Sequence, residues 1–160
     1  MTLSESTDQE FLPRAVRLAL DNAAGGQLPF AALIVRDGAV LATGVNTALR
    51  DHDPTAHAEL AAVRAACQQL GTLQLTGATM VSSCEPCAMC HAAALVAGVG
   101  RIIYAAPKEQ VPDLGVPFPQ VVAEMQAVWR RSGSDPIAHV PTPGAEAPFA
   151  RYLADGRSPR

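Results

Sequence analysis

Apolar side chains recur with a helical period near the start of the chain and with a strand-like pattern soon after it. Over residues 10–24 they return every three or four positions, which predicts an amphipathic helix, with Asp8 as its expected cap. Two apolar runs, over 30–35 and 40–45, flank Asp37-Gly38, and this arrangement is typical of a β-hairpin.

The remaining chain alternates between helical and strand-like patterns. The predicted elements are a helix over 55–70, a strand over 79–82, a helix over 86–97, a strand over 101–105, an irregular proline-rich segment over 107–119, a helix over 120–131 and a short tail segment around 149–153. A strand, a helix and a strand in succession indicate a parallel crossover. We therefore expect an α/β fold, with helices on both faces of a mixed sheet of about five strands.

Composition supports one folded domain over residues 1–160. Hydrophobic residues make up 49% of the 160 residues and charged residues 17%, which is enough apolar material for a core. The first ten residues are polar and acidic, and no apolar run approaches the roughly 20 residues of a membrane span. We therefore expect a cytoplasmic protein without a membrane partner, whose four cysteines stay reduced and serve a metal or the core.

The charge balance changes the expected partner. The formal net charge is −3, and Lys108 is the only lysine. A protein that grips nucleic acid through phosphates usually has a basic face, so this charge weakens the nucleic-acid interpretation without excluding it. A small molecule is the favoured substrate class.

The strongest chemical signal combines His57-Ala58-Glu59 with Pro86-Cys87-Ala88-Met89-Cys90. If Pro86 starts a helix, Cys87 and Cys90 lie on one helix face, and the helix N-terminus favours thiolates. With His57 at the start of the preceding helix, this gives three ligands for Zn²⁺. A structural zinc site normally has four protein ligands, so the missing fourth ligand indicates a position for water.

Glu59 is the candidate catalytic residue. It lies too close to His57 along the chain to be a comfortable ligand, but it can bond the water and move its protons. Hydrolysis by a metal-activated water needs such a group, because the water must give up its protons as its oxygen attacks.

Two other interpretations of the cysteines are open. Cys84 and Cys87 are also three residues apart, but Cys84 precedes the proline and is expected in a loop, as a cavity wall or packed thiol. The zinc could also be purely structural in a non-catalytic binding module. Glu59 speaks against that alternative, since a structural site needs no proton shuttle.

The chain resembles the cytidine deaminase-like superfamily, and within it the guanine deaminase (nucleoside deaminase) branch and, as second choice, the tRNA adenosine deaminase branch. The resemblance covers about half of the chain, from position 28 to 105. It rests on the H-x-E…P-C-x-x-C signature of base deaminases and on four stretches: Pro29-Phe30-Ala31-Ala32, Thr43-Gly44-Val45-Asn46, Asp53-Pro54-Thr55-Ala56-His57-Ala58-Glu59 and Ser83-Cys84-Glu85-Pro86-Cys87-Ala88-Met89-Cys90.

The resemblance implies a three-layer α/β/α deaminase sandwich with the zinc and Glu59 roles given above. It implies that Asn46 hydrogen-bonds the substrate ring and that Phe30 stacks on it; Ala58 and Glu146 are further candidate contacts. It also implies a homodimer, and a C-terminal tail, here from about residue 141, that caps a cavity.

The substrate is less defined than the reaction. Phe30 and the scarcity of lysine favour guanine over tRNA, so guanine is the expected substrate. However, many guanine deaminases have Gly-Phe-Asp-Asp where this chain has Gly115-Val116-Pro117-Phe118, so cytosine, cytidine or a triazine are alternatives; Asp113, Glu146 or Asp155 are candidate substitutes for the carboxylate. A tRNA adenosine deaminase would need a basic groove, for which the candidate residues are Arg130, Arg131, Arg151 and Arg157.

Overall fold

The computed structural model describes residues 3–117, 119–132 and 136–156. Six α-helices and five strands are present in these ranges. In chain order they are α1 (Leu3–Ala24), β1 (Ala31–Arg36), β2 (Ala39–Val45), α2 (Ala48–Asp51), α3 (Ala58–Leu70), β3 (Thr79–Cys84), α4 (Ala88–Val96), β4 (Arg101–Ala106), α5 (Gln120–Ser132), β5 (Ile137–His139) and α6 (Ala147–Ala154), with a 3₁₀ turn at Lys108–Gln110.

The five strands form one mixed sheet in the order β2-β1-β3-β4-β5. The β1–β2 hairpin is antiparallel, and β1 also pairs with β3 in antiparallel register. The pairs β3–β4 and β4–β5 are parallel, as crossovers through α4 and α5 require. The sheet predicted from the sequence is therefore confirmed.

Apolar side chains cover both faces of the sheet. On one face, Phe11 and Leu12 of α1 and Phe149 of α6 join the inward residues of β1, β3 and β4. On the other face, the alanines of α3 and α4 pack against Ile34, Met80 and Ile102. These two layers and the sheet make the α/β/α sandwich, and the ligand-bearing helices lie together on one side of it.

The N-terminal helix differs from its prediction. It begins at Leu3 and continues through Pro13, so Asp8 lies inside it and is not its cap. The Asp8 carboxylate is instead buried and accepts two hydrogen bonds of 2.6 Å from the Arg101 guanidinium at the start of β4. Such a two-pronged pair fixes geometry as well as charge, and it ties α1 to the central sheet.

Helices α3 and α4 begin later than predicted. The Asp53 side chain accepts hydrogen bonds from the backbone nitrogen and hydroxyl of Thr55, which makes a turn where the sequence indicated a helix start. As a result α3 begins at Ala58. Helix α4 begins at Ala88, two residues after Pro86, with Cys87 as its N-cap. Two elements, β5 and α6, lie in the segment whose proline and glycine content predicted loops and a short tail.

The contact between β2 and α3 is unusually close. A Cβ added at Gly44 would overlap the Ala58 carbonyl oxygen and lie 2.5 Å from the Ala62 nitrogen. Only glycine therefore allows the first turn of α3 to rest directly on β2. No helix in the described part of the chain is both long and apolar enough to cross a membrane.

We expect Gly44→Ala to lower the free energy of unfolding by about 3 kcal/mol, because the new methyl meets backbone atoms that cannot rotate away. The measurement is the midpoint of urea unfolding. The matched control is Gly100→Ala, where an added Cβ meets nothing within 4 Å, and which should change stability by less than about 0.5 kcal/mol. Equal midpoints for the two variants would contradict the close packing.

Candidate active site

Two helix N-termini present the candidate metal ligands. His57 is the N-cap of α3 and Cys87 is the N-cap of α4, both with extended backbone angles. Neither side chain makes a capping hydrogen bond, whereas Ser, Thr, Asp or Asn at such positions usually does. Both side chains are therefore left to bind something else, and Cys90 lies in the first turn of α4 beside Cys87.

The three candidate ligands fit a tetrahedral zinc ion. The His57 Nδ1 atom lies 3.6 Å from the Cys87 sulfur and 3.4 Å from the Cys90 sulfur, and the two sulfurs are 3.6 Å apart. Ordinary zinc bond lengths in a tetrahedron require about 3.6 Å between sulfur and nitrogen and about 3.8 Å between sulfurs. The residues present thus fit zinc, and the sequence-predicted ligands are brought together.

The electrostatics of the two sulfurs also suit a cation. The contact with Cys90, followed by that with His57, lowers the pKa of Cys87 to about 4, although burial opposes this. The same contact with Cys87, together with burial, raises the pKa of Cys90. Without a cation the pair therefore holds one thiolate and one thiol, and the charge of a divalent metal is what would let both sulfurs ionise.

Cys84 does not lie in a loop, as the sequence predicted, but is the last residue of β3. It is buried, packs into the core around α1 and also lines the cavity described below, as a wall and packed thiol would. Burial, with the carboxylates of Glu59 and Glu85 nearby, raises the pKa of the Cys84 thiol. The geometry excludes it as a ligand, because the ligand atoms that cluster are those of His57, Cys87 and Cys90.

Glu59 lies in the first turn of α3 and is almost fully buried. Its Oε1 atom accepts a 3.0 Å hydrogen bond from the Ser82 hydroxyl of β3. Burial, and next the nearby Cys87, raise the pKa of Glu59. A carboxyl group with a raised pKa takes up a proton more readily than a free glutamate does, which suits a group that accepts and releases protons.

His57, Glu59 and Cys87 line a cavity of about 600 Å³. Its walls come from the residues just before β1, the segment around α2, the N-termini of α3 and α4, and the loop over residues 111–117. Most of the wall surface is apolar. The lining residues with chemistry to offer are Phe30, Asn46, His52, Asp53, His57, Glu59, Cys84, Glu85, Cys87, Lys108 and Asp113.

Asn46 and Phe30, both singled out from the sequence, line this cavity. The Asn46 Oδ1 atom accepts a 3.0 Å bond from the Ala48 nitrogen, and its backbone carbonyl accepts a bond from the Asn22 amide. The side chain is thus a turn asparagine whose orientation is fixed. Because Oδ1 faces Ala48, the Nδ2 donor lies on the other side of the amide.

Two other candidates do not reach the cavity. Ala58 is fully buried in the core on the α3 side, and it is absent from the cavity lining. Glu146 is exposed at the N-terminus of α6, and no described residue beyond position 140 lines the cavity. Residues 141–156 therefore do not line the cavity of their own chain, and capping of a cavity by the tail stays a prediction.

Several lining residues were missed by the sequence analysis. Glu85 follows β3 directly, and its Oε2 atom accepts a 3.1 Å bond from the Lys108 nitrogen. Asp53 was seen only as part of a motif, and His52 carried no signal beyond a positive φ of 50° that the sequence does not reveal. Asp113, a candidate carboxylate, does lie in the cavity wall, whereas the alternative Asp155 is exposed and pairs with Arg151.

The chain matches the family described as "Cytidine and deoxycytidylate deaminase zinc-binding region" over residues 5–106. Among curated relatives, guanine deaminase of Bacillus subtilis is 44% identical over 108 residues, which is 67% of this chain and 69% of that protein. A tRNA-specific adenosine deaminase of Agrobacterium fabrum is 42% identical, over 58% of this chain and 62% of that protein. The match to tRNA(Ile)-lysidine synthase of Deinococcus deserti, at 45% identity over 63% of this chain, spans only 19% of that protein.

The solved structures agree with the sequence matches. The crystal structure of guanine deaminase from Bacillus subtilis superposes with a TM-score of 0.60 at 36% identity, covering 82% of this chain and 95% of that one. The family match includes His57, Glu59 and both cysteines at the start of α4. The chain therefore belongs to the cytidine and deoxycytidylate deaminase family of zinc-dependent hydrolytic deaminases.

Proposed function

We propose that this enzyme removes the exocyclic amino group of a free nucleobase-like heterocycle, with guanine as the best candidate. The observation that carries the proposal is the placement of buried Glu59 beside the His57, Cys87 and Cys90 cluster, in the wall of a mostly apolar cavity. A mostly apolar lining surface with polar groups at defined positions suits a flat heterocycle.

His57, Cys87 and Cys90 would hold the zinc ion. A zinc ion held by these residues would supply an activated water for the reaction. The two helix N-termini add partial positive charge at the same place, which stabilises the thiolate ligands. The cluster thus sits where the nucleophile of the reaction is needed.

Glu59 moves the protons. Its carboxylate takes one proton from the water as the oxygen attacks the amine-bearing ring carbon, and it delivers that proton to the adjacent ring nitrogen. It then takes the second proton of the water and passes it to the amine as the C–N bond breaks, which releases ammonia and leaves a ring carbonyl. The Ser82 hydroxyl holds the carboxylate in position through both transfers.

Asn46 and Phe30 would bind the ring. With its Oδ1 atom engaged by Ala48, Asn46 offers its Nδ2 donor to a ring acceptor. Phe30 offers an aromatic face at the cavity wall, where stacking excludes water from the reacting carbon. Ala58 and Glu146 carry no further support as substrate contacts.

The charge of the cavity favours a small uncharged substrate over RNA. Asp53, Glu59, Glu85 and Asp113 line it, and Lys108 is the only lysine or arginine among the described residues of its walls. Of the arginines proposed for a basic groove, Arg151 is paired with Asp155 at 2.6 Å. Arg157 and the side chains of Arg130 and Arg131 lie outside the part of the chain that the structure describes.

Guanine is favoured by the Bacillus subtilis relative and by Asp113, a carboxylate that suits the donors on a guanine edge. The tRNA adenosine deaminase alternative is favoured by the Agrobacterium relative. Cytosine, cytidine and triazines are alternative substrates, because the chain lacks the Gly-Phe-Asp-Asp stretch of many guanine deaminases. A homodimer and a cytoplasmic location stay predictions.

We expect Glu59→Gln to reduce kcat by about 100- to 10,000-fold, because the amide cannot carry protons. Zinc content and unfolding midpoint should stay near wild type, since the side chain keeps its shape and its bond to Ser82. Glu124→Gln, a change of an exposed glutamate on α5, is the control and should leave turnover unchanged. Substantial turnover by Glu59→Gln would show that another group transfers the protons.

We expect His57→Ala and Cys87→Ala to purify with little zinc, because two remaining ligands hold the ion poorly. Metal analysis by inductively coupled plasma mass spectrometry checks this. Cys84→Ala is the matched control and should keep one zinc ion per chain, since its sulfur is not part of the ligand cluster. If Cys84→Ala lost its zinc while His57→Ala and Cys87→Ala kept theirs, the assignment of His57 and Cys87 as ligands would be wrong.

The substrate is tested by ammonia release from zinc-loaded protein. The panel comprises guanine, adenine, cytosine, a triazine, the matching nucleosides and a tRNA anticodon stem-loop. We expect turnover of guanine and none of the RNA, because four carboxylates and one lysine are the charged side chains other than histidine among the described residues that line the cavity. Turnover of the stem-loop alone would overturn the small-molecule assignment, and turnover of another base would replace guanine.

A further inference from the structure

Helix α6 contributes no residue to the cavity, yet it packs directly behind two of the cavity's walls. We propose that α6 shapes the substrate site from behind, with Phe149 as a positioning residue that sets the orientation of Phe30. This inference rests on the proposed function, since it assigns Phe30 a substrate to bind.

The contact between Phe149 and Phe30 carries the inference. The two ring centroids are 6.0 Å apart with planes tilted by 60°, a separation within the range of favourable aromatic pairs. Phe149 is only 2% exposed, whereas Phe30 is partly buried and lines the cavity. Phe30 therefore has one side against Phe149 and another side open to a substrate.

The second wall is the 111–117 loop, and α6 supports it through Tyr152. Tyr152 is buried in one apolar cluster with Leu28 and Leu114, both of which line the cavity. Val111 and Val116 of the same loop pack against this cluster, as does Phe30. Helix α6 thus packs against both Phe30 and the loop that carries Asp113.

The support is firm because α6 is itself anchored. Ala145 and Phe149 belong to the same core cluster as Phe11 and Leu12 of α1, and Pro148 is fully buried. The α1–α6 layer lies on the opposite face of the sheet from α3 and α4. A change at Phe149 should therefore reach the ring-binding wall without reaching Glu59 or the zinc ligands.

This separation makes the proposal testable by kinetics. In Phe149→Leu, the Phe30 ring loses its partner, and we expect KM for the substrate that the wild type turns over to rise about 3- to 10-fold. kcat should stay within about twofold and zinc content at one per chain, because the proton-transfer groups are undisturbed. The mild substitution keeps an apolar side chain in the core, so the fold should persist.

The matched control is Phe11→Leu, the same substitution at an equally buried position of the same core cluster. It should lower the unfolding midpoint by a similar amount while leaving KM unchanged. Equal KM values for Phe149→Leu and the wild type, or equal rises in both variants, would overturn the positioning role. A wild type that turns over no heterocycle would instead refute the proposed function.

A double-mutant cycle with Phe30→Leu tests whether Phe149 affects substrate binding through Phe30. If Phe149 acts through Phe30, then Phe30→Leu/Phe149→Leu should have the KM of Phe30→Leu alone. KM increases that multiply in the double variant would mean that Phe149 acts by another path, and the assignment to Phe30 would be wrong.

Discussion

The direct contact between β2 and α3 at Gly44 is the constraint on which the rest of the site depends. The first turn of α3 rests on β2 at a residue without a side chain, and its backbone comes closer to Gly44 than a Cβ there would allow. That position brings His57 to the cysteines of α4, and Glu59 to the Ser82 hydroxyl of β3. The chemistry at the helix ends is therefore set by packing along the sheet.

The sequence predicts the chemistry of this chain better than its substrate site. Spacing and residue type were sufficient to predict the cluster of His57, Cys87 and Cys90, because zinc constrains both. The start of α3 could not be predicted, because Thr55 looks like a helix cap until Asp53 is seen to bond it. Strand β5 and helix α6 could not be predicted from the sequence, because they depend on pairing and packing with distant elements that short patterns do not encode.

The site is assembled from two layers with different tasks. The layer of α3 and α4 holds the groups that bind metal and move protons, and it is built from small alanines that permit close approach. The layer of α1 and α6 is built from larger aromatic and aliphatic side chains, and it supports the wall that a ring would contact. Phe30 packs against the apolar clusters of both layers, so the aromatic wall of the cavity lies where the two layers meet.

The pairing of α1 with α6 joins segments that are far apart along the chain. Contacts of such large sequence separation form late and slowly in folding, because a long loop must close first. The hairpin and the β3-α4-β4 crossover, in contrast, need only nearby residues. During synthesis the metal ligands can therefore meet before residues 147–154 are available, and the aromatic wall of the cavity is the last part of the site to be completed.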